Sequence, residues 1–319
     1  MEIRHLTPPD RTLPRRRLDR WARRLFSLNA LLPLLLVVAI LVALTARSLP
    51  LLAESSVAEL LLGRVWKPLQ GQFGFLPFIA GTLWVTLAAV VLAVPPCLLA
   101  AIFLSEYAHA PLRLVMKPLL DLLAAIPSVV YGVWGVLAIV PWVQNVAAPT
   151  LGRFSGVFPI FATTNPTGYS ILAGAIVLAV MIAPFIISVT YEVMHTLPAG
   201  VREASLAVGA TRWQTIKYAV LPQVFPGVAA GVVLGASRAL GETMAVLMVV
   251  GNVAQMPTSL FDAAYPLPAL IANNYGEMLS IPMYDAALLG AALILLLIVL
   301  VFNILATLVL RRFLQRRDR

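Results

Sequence analysis

Six long runs of apolar residues, nearly free of charged side chains, constrain this chain more than any other feature of it. A helix needs roughly 20 apolar residues to cross the hydrocarbon of a bilayer. The runs reach that length at 25–46, within 68–105 where the apolar part begins near Phe75, over much of 122–142, at 171–191, at about 225–250 and at 286–310. With 61% hydrophobic and 12% charged residues, the 319-residue chain has too little polar surface to cover a soluble globule. The expected fold class is all-α, a polytopic membrane protein with six transmembrane helices.

Basic residues in the connecting segments set the orientation of such a protein. Eight arginines lie from Arg4 to Arg24, Arg113 and Lys117 follow the second run, Arg202, Arg212 and Lys217 follow the fourth, and five arginines close the chain. Only Arg47, Arg64, Lys67 and Arg153 fall in the alternate loops. Both termini are therefore expected to be cytoplasmic, in a multi-pass protein of the cell inner membrane. The expected segments are a basic arm at 1–24, a first helix at 25–46, an external loop at 47–74, a five-helix transmembrane domain at 75–310 and a basic tail at 311–319. The net charge of +9 sits in arms flanking the spans, where it fits anionic lipid headgroups rather than nucleic acid. Basic residues also precede the core of a secretory signal, but such a core runs roughly 7 to 15 residues. The 22 uncharged residues of the first run favour a retained span.

Pro95 and Pro96 in the second run, Pro127 at the opening of the third and Pro184 in the fourth predict bent or interrupted helices, because proline removes a helical hydrogen bond. Cys97 is the one cysteine, so no internal disulfide forms, and it reads as a small apolar filler. His5, His109 and His195 are far apart in sequence and read as surface residues, which leaves no catalytic or metal-ligand set and no implied cofactor. The segment 251–285 contains Asp262, Glu277 and Asp285 with no lysine or arginine and reads as a solvated external loop, with a short helix possible over 267–277.

Two segments carry chemistry. Between the fourth and fifth runs stand Glu203-Ala204-Ser205, then Gly209, then Ala219-Val220-Leu221-Pro222. Glu203 near a helix start suits the positive end of the dipole. Gly209 permits a tight turn, Trp213, Ile216 and Val220 recur at helical spacing, and Pro222 stops a second short helix. The expected product is a compact knob over 200–222. In the fifth run, Arg238 and Glu242 stand four apart, on one face of a continuous helix. A charge at mid-span costs at least about 2.5 kcal/mol, so both should face protein or a wet cavity. Two readings are open: a self-neutralising ion pair, or an Arg238 fork that meets an oxyanion while Glu242 orients it or accepts a proton from the substrate.

The spacing of Glu203-Ala204-Ser205, Gly209 and Leu221-Pro222 resembles the coupling motif of ABC importer permeases, with Ser205 and Ala219 as mild departures. The run Arg238-Ala239-Leu240-Gly241-Glu242-Thr243 resembles the phosphate-specific branch of that family, its C-type subunit (PstC-like). Trp66-Lys67-Pro68 with Phe73-Gly74 and Gly81-Thr82-Leu83, and Ile126-Pro127-Ser128 with Val129-Val130-Tyr131-Gly132, are similar to the same branch. The resemblance implies the type I ABC importer permease architecture. It also implies docking of Glu203, Ala204, Gly209, Leu221 and Pro222 in a groove of a cytoplasmic ATPase dimer, a second homologous permease subunit and an external phosphate-binding protein. The chain has no glycine-rich phosphate loop of the Walker form, so ATP hydrolysis falls to a partner. Sulfate, molybdate or phosphonate are alternative cargoes. An ion-coupled secondary transporter would leave the 200–222 motif unexplained and predicts inverted repeats, yet no second Arg-Ala-Leu-Gly-Glu-like segment stands in the first half.

Overall fold

A computed structural model describes residues 12–163, 165–276, 281 and 283–315; Arg4, His5, Arg11, Glu277, Arg316, Arg317 and Arg319 lie outside them. The described residues include six helices long and apolar enough to cross a membrane: Trp21–Glu54, Leu76–Tyr107, Ser128–Phe154, Ile171–His195, Arg212–Leu240 and Tyr284–Arg312. They divide into two compact units, Met1–Arg47 and Ser48–Arg319. The first unit is helical from Thr12, and the helix continues to Glu54. It is apolar on every face over 25–46, the pattern of a span rather than of an amphipathic surface helix.

The fourth span is the axis of the second unit. Its packing follows from small residues spaced four apart on its neighbours, which let helix backbones approach closely. On the second span Gly81, Val85, Ala89, Ala93, Cys97 and Ala101 are buried along one stripe, and most of them join Ile171, Leu178, Ile182 and Ile186 of the fourth in the main core. Cys97 is a filler in that stripe, 2% exposed and unoxidised. On the fifth span the stripe is Gly227, Gly231 and Gly235. A Cβ on Gly231 would come within 3.0 Å of Val189 Cγ1, one on Gly235 within 2.9 Å of Ile186 Cγ1, and one on Gly227 would overlap Val193.

The interruption expected of proline appears at Pro127, between the helices that end at Ala125 and start at Ser128. Pro95, Pro96 and Pro184 sit inside unbroken α-helix. Three other prolines follow π-helical segments at Gly135–Ile139, Val143–Ala147 and Thr215–Val220. Each segment contains the residue four places before Pro141, Pro149 or Pro222. The proline ring collides with the carbonyl at that place, and a wider turn relieves the collision. The third span, expected over 122–142, is displaced accordingly: a separate helix, Ala110–Ala125, precedes it, and the π segments carry it on to Phe154. Arg113 and Lys117 are therefore on a helix and not in a loop.

The described part of 251–285 is not a solvated loop throughout. Phe261, Asp262, Ala263 and Ala264 are buried, and the Asp262 carboxylate accepts hydrogen bonds from Thr258 N at 2.8 Å, Thr258 Oγ1 at 3.0 Å and Ser259 N at 2.9 Å. The carbonyls of Asp262 and Leu260 accept from Ile171 N and Leu172 N at 3.0 and 2.8 Å. Those are the first N–H groups of the fourth span, which have no partner inside their own helix. The acidic residue is consumed in shaping a cap for a membrane helix. A short helix does form, at Leu267–Asn274, and its Leu267 N donates to Thr82 Oγ1 of the second span at 2.9 Å.

A two-stranded hairpin, Trp66–Lys67 with Gln72–Phe73, is the departure from an all-helical chain among the described residues. Gly71, at φ +69°, turns it. Trp66 packs against Phe73, Phe75, Phe78 and Tyr284 with ring centroids 4.9 to 6.1 Å apart.

Candidate functional site

The 200–222 segment folds as a helix, a turn and the start of the fifth span. Pro198 caps the helix Ala199–Ala207, and Gly209, at φ +85°, turns the chain in the left-handed region. Thr211 and Gln214 then form a reciprocal capping box, with Thr211 N donating to Gln214 Oε1 at 2.8 Å and Gln214 N to Thr211 Oγ1 at 3.3 Å. Two sequence expectations are corrected here. Glu203 lies in the middle of its helix, outside the first turn. Pro222 stops nothing: the helical run is continuous from Arg212 to Leu240, because the π segment before Pro222 absorbs its ring.

Glu203, Ala204, Gly209 and Pro222 are exposed, and Leu221 is half-buried. Ile216 and Val220 are fully buried against Met194 and Val224, whereas Trp213 remains 51% exposed. The motif thus presents one surface outward and anchors the other.

The strongest anchor is one the motif does not announce. Arg202 Nη2 reaches Glu106 Oε1 at 2.7 Å, and Arg202 Nε reaches Glu106 Oε2 at 3.0 Å. The same guanidinium donates from Nη1 to Leu197 O at 3.0 Å and from Nη2 to Met194 O at 2.9 Å. The side chains are 23% and 8% exposed. Arg202 is held above its usual pKa, chiefly by the hydrogen bonds to Glu106 and further by that carboxylate's charge. One side chain so ties the 199–207 helix to the end of the second span and caps the last turn of the fourth. Sequence reasoning counted Arg202 only as a loop charge; its partner stands 96 residues earlier, and no local spacing signals the pair.

The Arg238 and Glu242 arrangement also departs from expectation. The fifth helix ends at Leu240, residues 241–243 are non-helical, and a new helix runs Met244–Val249. Arg238 therefore lies in the last turn of the fifth helix while Glu242 lies in the break itself, and no ion pair joins them among the described residues. Glu242 Oε1 instead accepts from Ala245 N at 3.3 Å, at the start of the new helix. Arg238 is exposed in the isolated chain, its guanidinium 4.2 Å from the Phe185 ring centroid of the fourth span. Gly241 is a poor helix former, and a carboxylate that caps a following helix competes with continuation of the preceding one. A break inside a span frees backbone groups that lipid cannot satisfy, so it belongs where protein or water reaches it.

Beyond the new helix lies an open cavity of ≈620 Å³, lined by neutral polar groups including Asn165, Thr167, Tyr169, Asn252 and Gln255. Asn252 adopts φ +54° and donates from Nδ2 to Leu247 O at 2.7 Å. His109 stands before the helix Ala110–Ala125, and His195 stacks on Tyr191 at 5.7 Å. No three metal-ligating side chains come together among the described residues.

Comparison with known proteins places these features. Residues 97–317 match the family model described as "Binding-protein-dependent transport system inner membrane component". A Mesorhizobium japonicum protein named "Phosphate transport system permease protein PstC" is 37% identical over 91% of this chain and 88% of its own length. Its namesake in Haemophilus influenzae is 34% identical over 94% and 96%. A Bacillus subtilis "Probable ABC transporter permease protein" is 39% identical over 80% and 79%. Among solved structures, a bacterial ABC transporter involved in the import of the acidic polysaccharide alginate aligns with TM-score 0.55 at 19% identity, covering 93% of this chain and 99% of that one. The inward-facing MetNI methionine ABC transporter aligns with TM-score 0.52 at 20% identity, covering 73% and 93%. These two likenesses carry the fold.

Proposed function

Since the chain belongs to the family of binding-protein-dependent transport system inner membrane components, we propose that it is a permease subunit of an ATP-driven importer of inorganic phosphate. It lies in the inner membrane with both termini cytoplasmic. It lines the path with a second, homologous permease, docks on a cytoplasmic ATPase dimer and receives phosphate from an external binding protein. The phosphate-transport names of its relatives support the cargo.

The observation that carries the reading is the two-faced 200–222 segment: Glu203, Ala204 and Gly209 outward, Arg202 locked inward on Glu106. An outward face alone would serve as a docking patch. An inward lock on two spans converts a push on that patch into movement of the bundle. Gly209→Pro tests this, because proline cannot adopt φ near +85°. Uptake of radiolabelled phosphate should be lost while the chain stays in the membrane at normal abundance; undiminished uptake would overturn the coupling role.

In the path, Arg238 supplies a planar fork of donors for a passing oxyanion. Glu242 commits one oxygen to Ala245 N and keeps the other for a protonated oxygen of hydrogen phosphate, which sulfate lacks at neutral pH. Competition of phosphate uptake by sulfate, molybdate and phosphonate distinguishes the cargo, and Glu242→Gln should narrow the difference between phosphate and sulfate.

A further inference from the structure

The 199–216 segment walls a cavity of ≈470 Å³ against the ends of the second and fourth spans, and charged groups line it from each side: Glu106, Arg113, His195, Arg202 and Arg212. Their pairing is uneven. Glu106 is consumed, since both of its oxygens accept from Arg202 and Oε1 also accepts from Ser105 Oγ at 3.1 Å. Arg113 gives Nη2 to the Ser105 carbonyl at 3.0 Å, and its Nε is buried with no partner. Arg212 lies 5.5 Å from the Tyr107 ring centroid. Neither Arg113 nor Arg212 has a carboxylate within ion-pair distance among the described residues. Three guanidinium groups, Arg113, Arg202 and Arg212, therefore face one partly enclosed volume with a single carboxylate, Glu106, which is hydrogen-bonded to Arg202 alone of the three.

An excess of guanidinium groups around one volume attracts an anion, and their planar donor geometry suits tetrahedral phosphate oxygens. We propose that this cavity is a second anion site, separate from the Arg238 path, which holds a phosphate group on Arg113 and Arg212. The group comes either from inorganic phosphate in the cytoplasm or from the headgroup of an anionic lipid. Arg113 stands on the helix Ala110–Ala125 and Arg212 just after the Gly209 turn. A bound phosphate therefore bridges the coupling segment to a neighbouring helix and favours the conformation in which that bridge closes. From free phosphate the bridge is feedback by accumulated product; from lipid it is a membrane-composition dependence. The inference rests on reading the 200–222 face as cytoplasmic.

The test uses the full chain in nanodiscs. Binding of radiolabelled orthophosphate is measured in phosphatidylcholine discs, and retained lipid is measured by native mass spectrometry from discs containing phosphatidylglycerol. The variants are Arg113→Gln with Arg212→Gln, and Ala199→Glu, which sets a carboxylate into the cavity wall and leaves the Arg113 bond to Ser105 in place. Orthophosphate binding that weakens at least tenfold in both, and persists in Arg238→Gln, assigns the site to free phosphate. Retained phosphatidylglycerol that is lost in both variants assigns it to lipid. Parent and variants alike with both probes would overturn the proposal. The Arg238→Gln control keeps either outcome independent of the transport path, because a failed path leaves this binding intact.

Discussion

Two arginine–glutamate pairs stand in this chain and behave oppositely. Arg238 and Glu242 are four residues apart and do not meet, while Arg202 and Glu106 are 96 apart and interlock. The near pair is separated by a helix break that gives each member another partner, an aromatic ring or a backbone N–H. The distant pair is joined because the second and fourth spans pack along a stripe of small residues and bring their ends together. A locked pair transmits position. The other leaves Arg238 exposed in the isolated chain.

The comparison is broken most severely by removing one half of the locked pair. Leaving an uncompensated partly buried charge costs about 3 to 5 kcal/mol. Glu106→Gln or Arg202→Met should reduce phosphate uptake to background, with the 199–207 helix becoming accessible to protease in membrane vesicles. Combining Glu106→Arg with Arg202→Glu should restore part of the uptake; no recovery would mean that the geometry, with the Met194 and Leu197 carbonyls included, matters more than the charge match.

A smaller effect is expected at the open pair. Arg238→Gln should lower phosphate uptake about tenfold, the scale of one charge-assisted contact, while ATP hydrolysis by the assembled transporter continues. Arg238→Lys should recover little, because an ammonium lacks the planar fork. Equal losses in hydrolysis and uptake would show that Arg238 acts structurally, like Arg202. Smaller again is the helix contact behind both pairs: Gly231→Leu overpacks the interface with Val189 and should destabilise the chain by about 1 to 3 kcal/mol, read as a lower midpoint in detergent unfolding. The surface pair Lys117–Glu192 sets the floor. Its side chains are 59% and 58% exposed, so Lys117→Ala should leave both uptake and midpoint unchanged.

What the sequence discloses follows from the range of the physics involved. The spans are legible because hydropathy accumulates along contiguous residues: all six appear, the second and sixth within about two residues of the expected bounds, the first, third and fifth displaced by a turn or more. The 200–222 motif is legible in type for the same reason, since Gly209 and Leu221-Pro222 act on their immediate neighbours. The break at 241–243 is a competition between helix continuation and a side-chain cap, and an i, i+4 rule assumes the outcome. Asp262 reads as a solvated acid until its donors at Thr258 and Ser259 are positioned by a chain that also reaches Ile171. The Arg202–Glu106 lock depends on two spans already packed. The spacing of Gly227, Gly231 and Gly235 marks a face of the fifth span for close helix approach, but not which span fills it.

That glycine row also decides how force travels. Where the fifth helix carries only hydrogen at Gly227 and Gly231, Val193 and Val189 of the fourth rest almost on its main chain, and the two helices are in close contact along that row. The pair is joined at one end by the segment that turns at Gly209 and is tied there by Arg202. Under the proposed coupling role, a displacement at that end carries both helices together as far as the break at 241–243, beside Arg238.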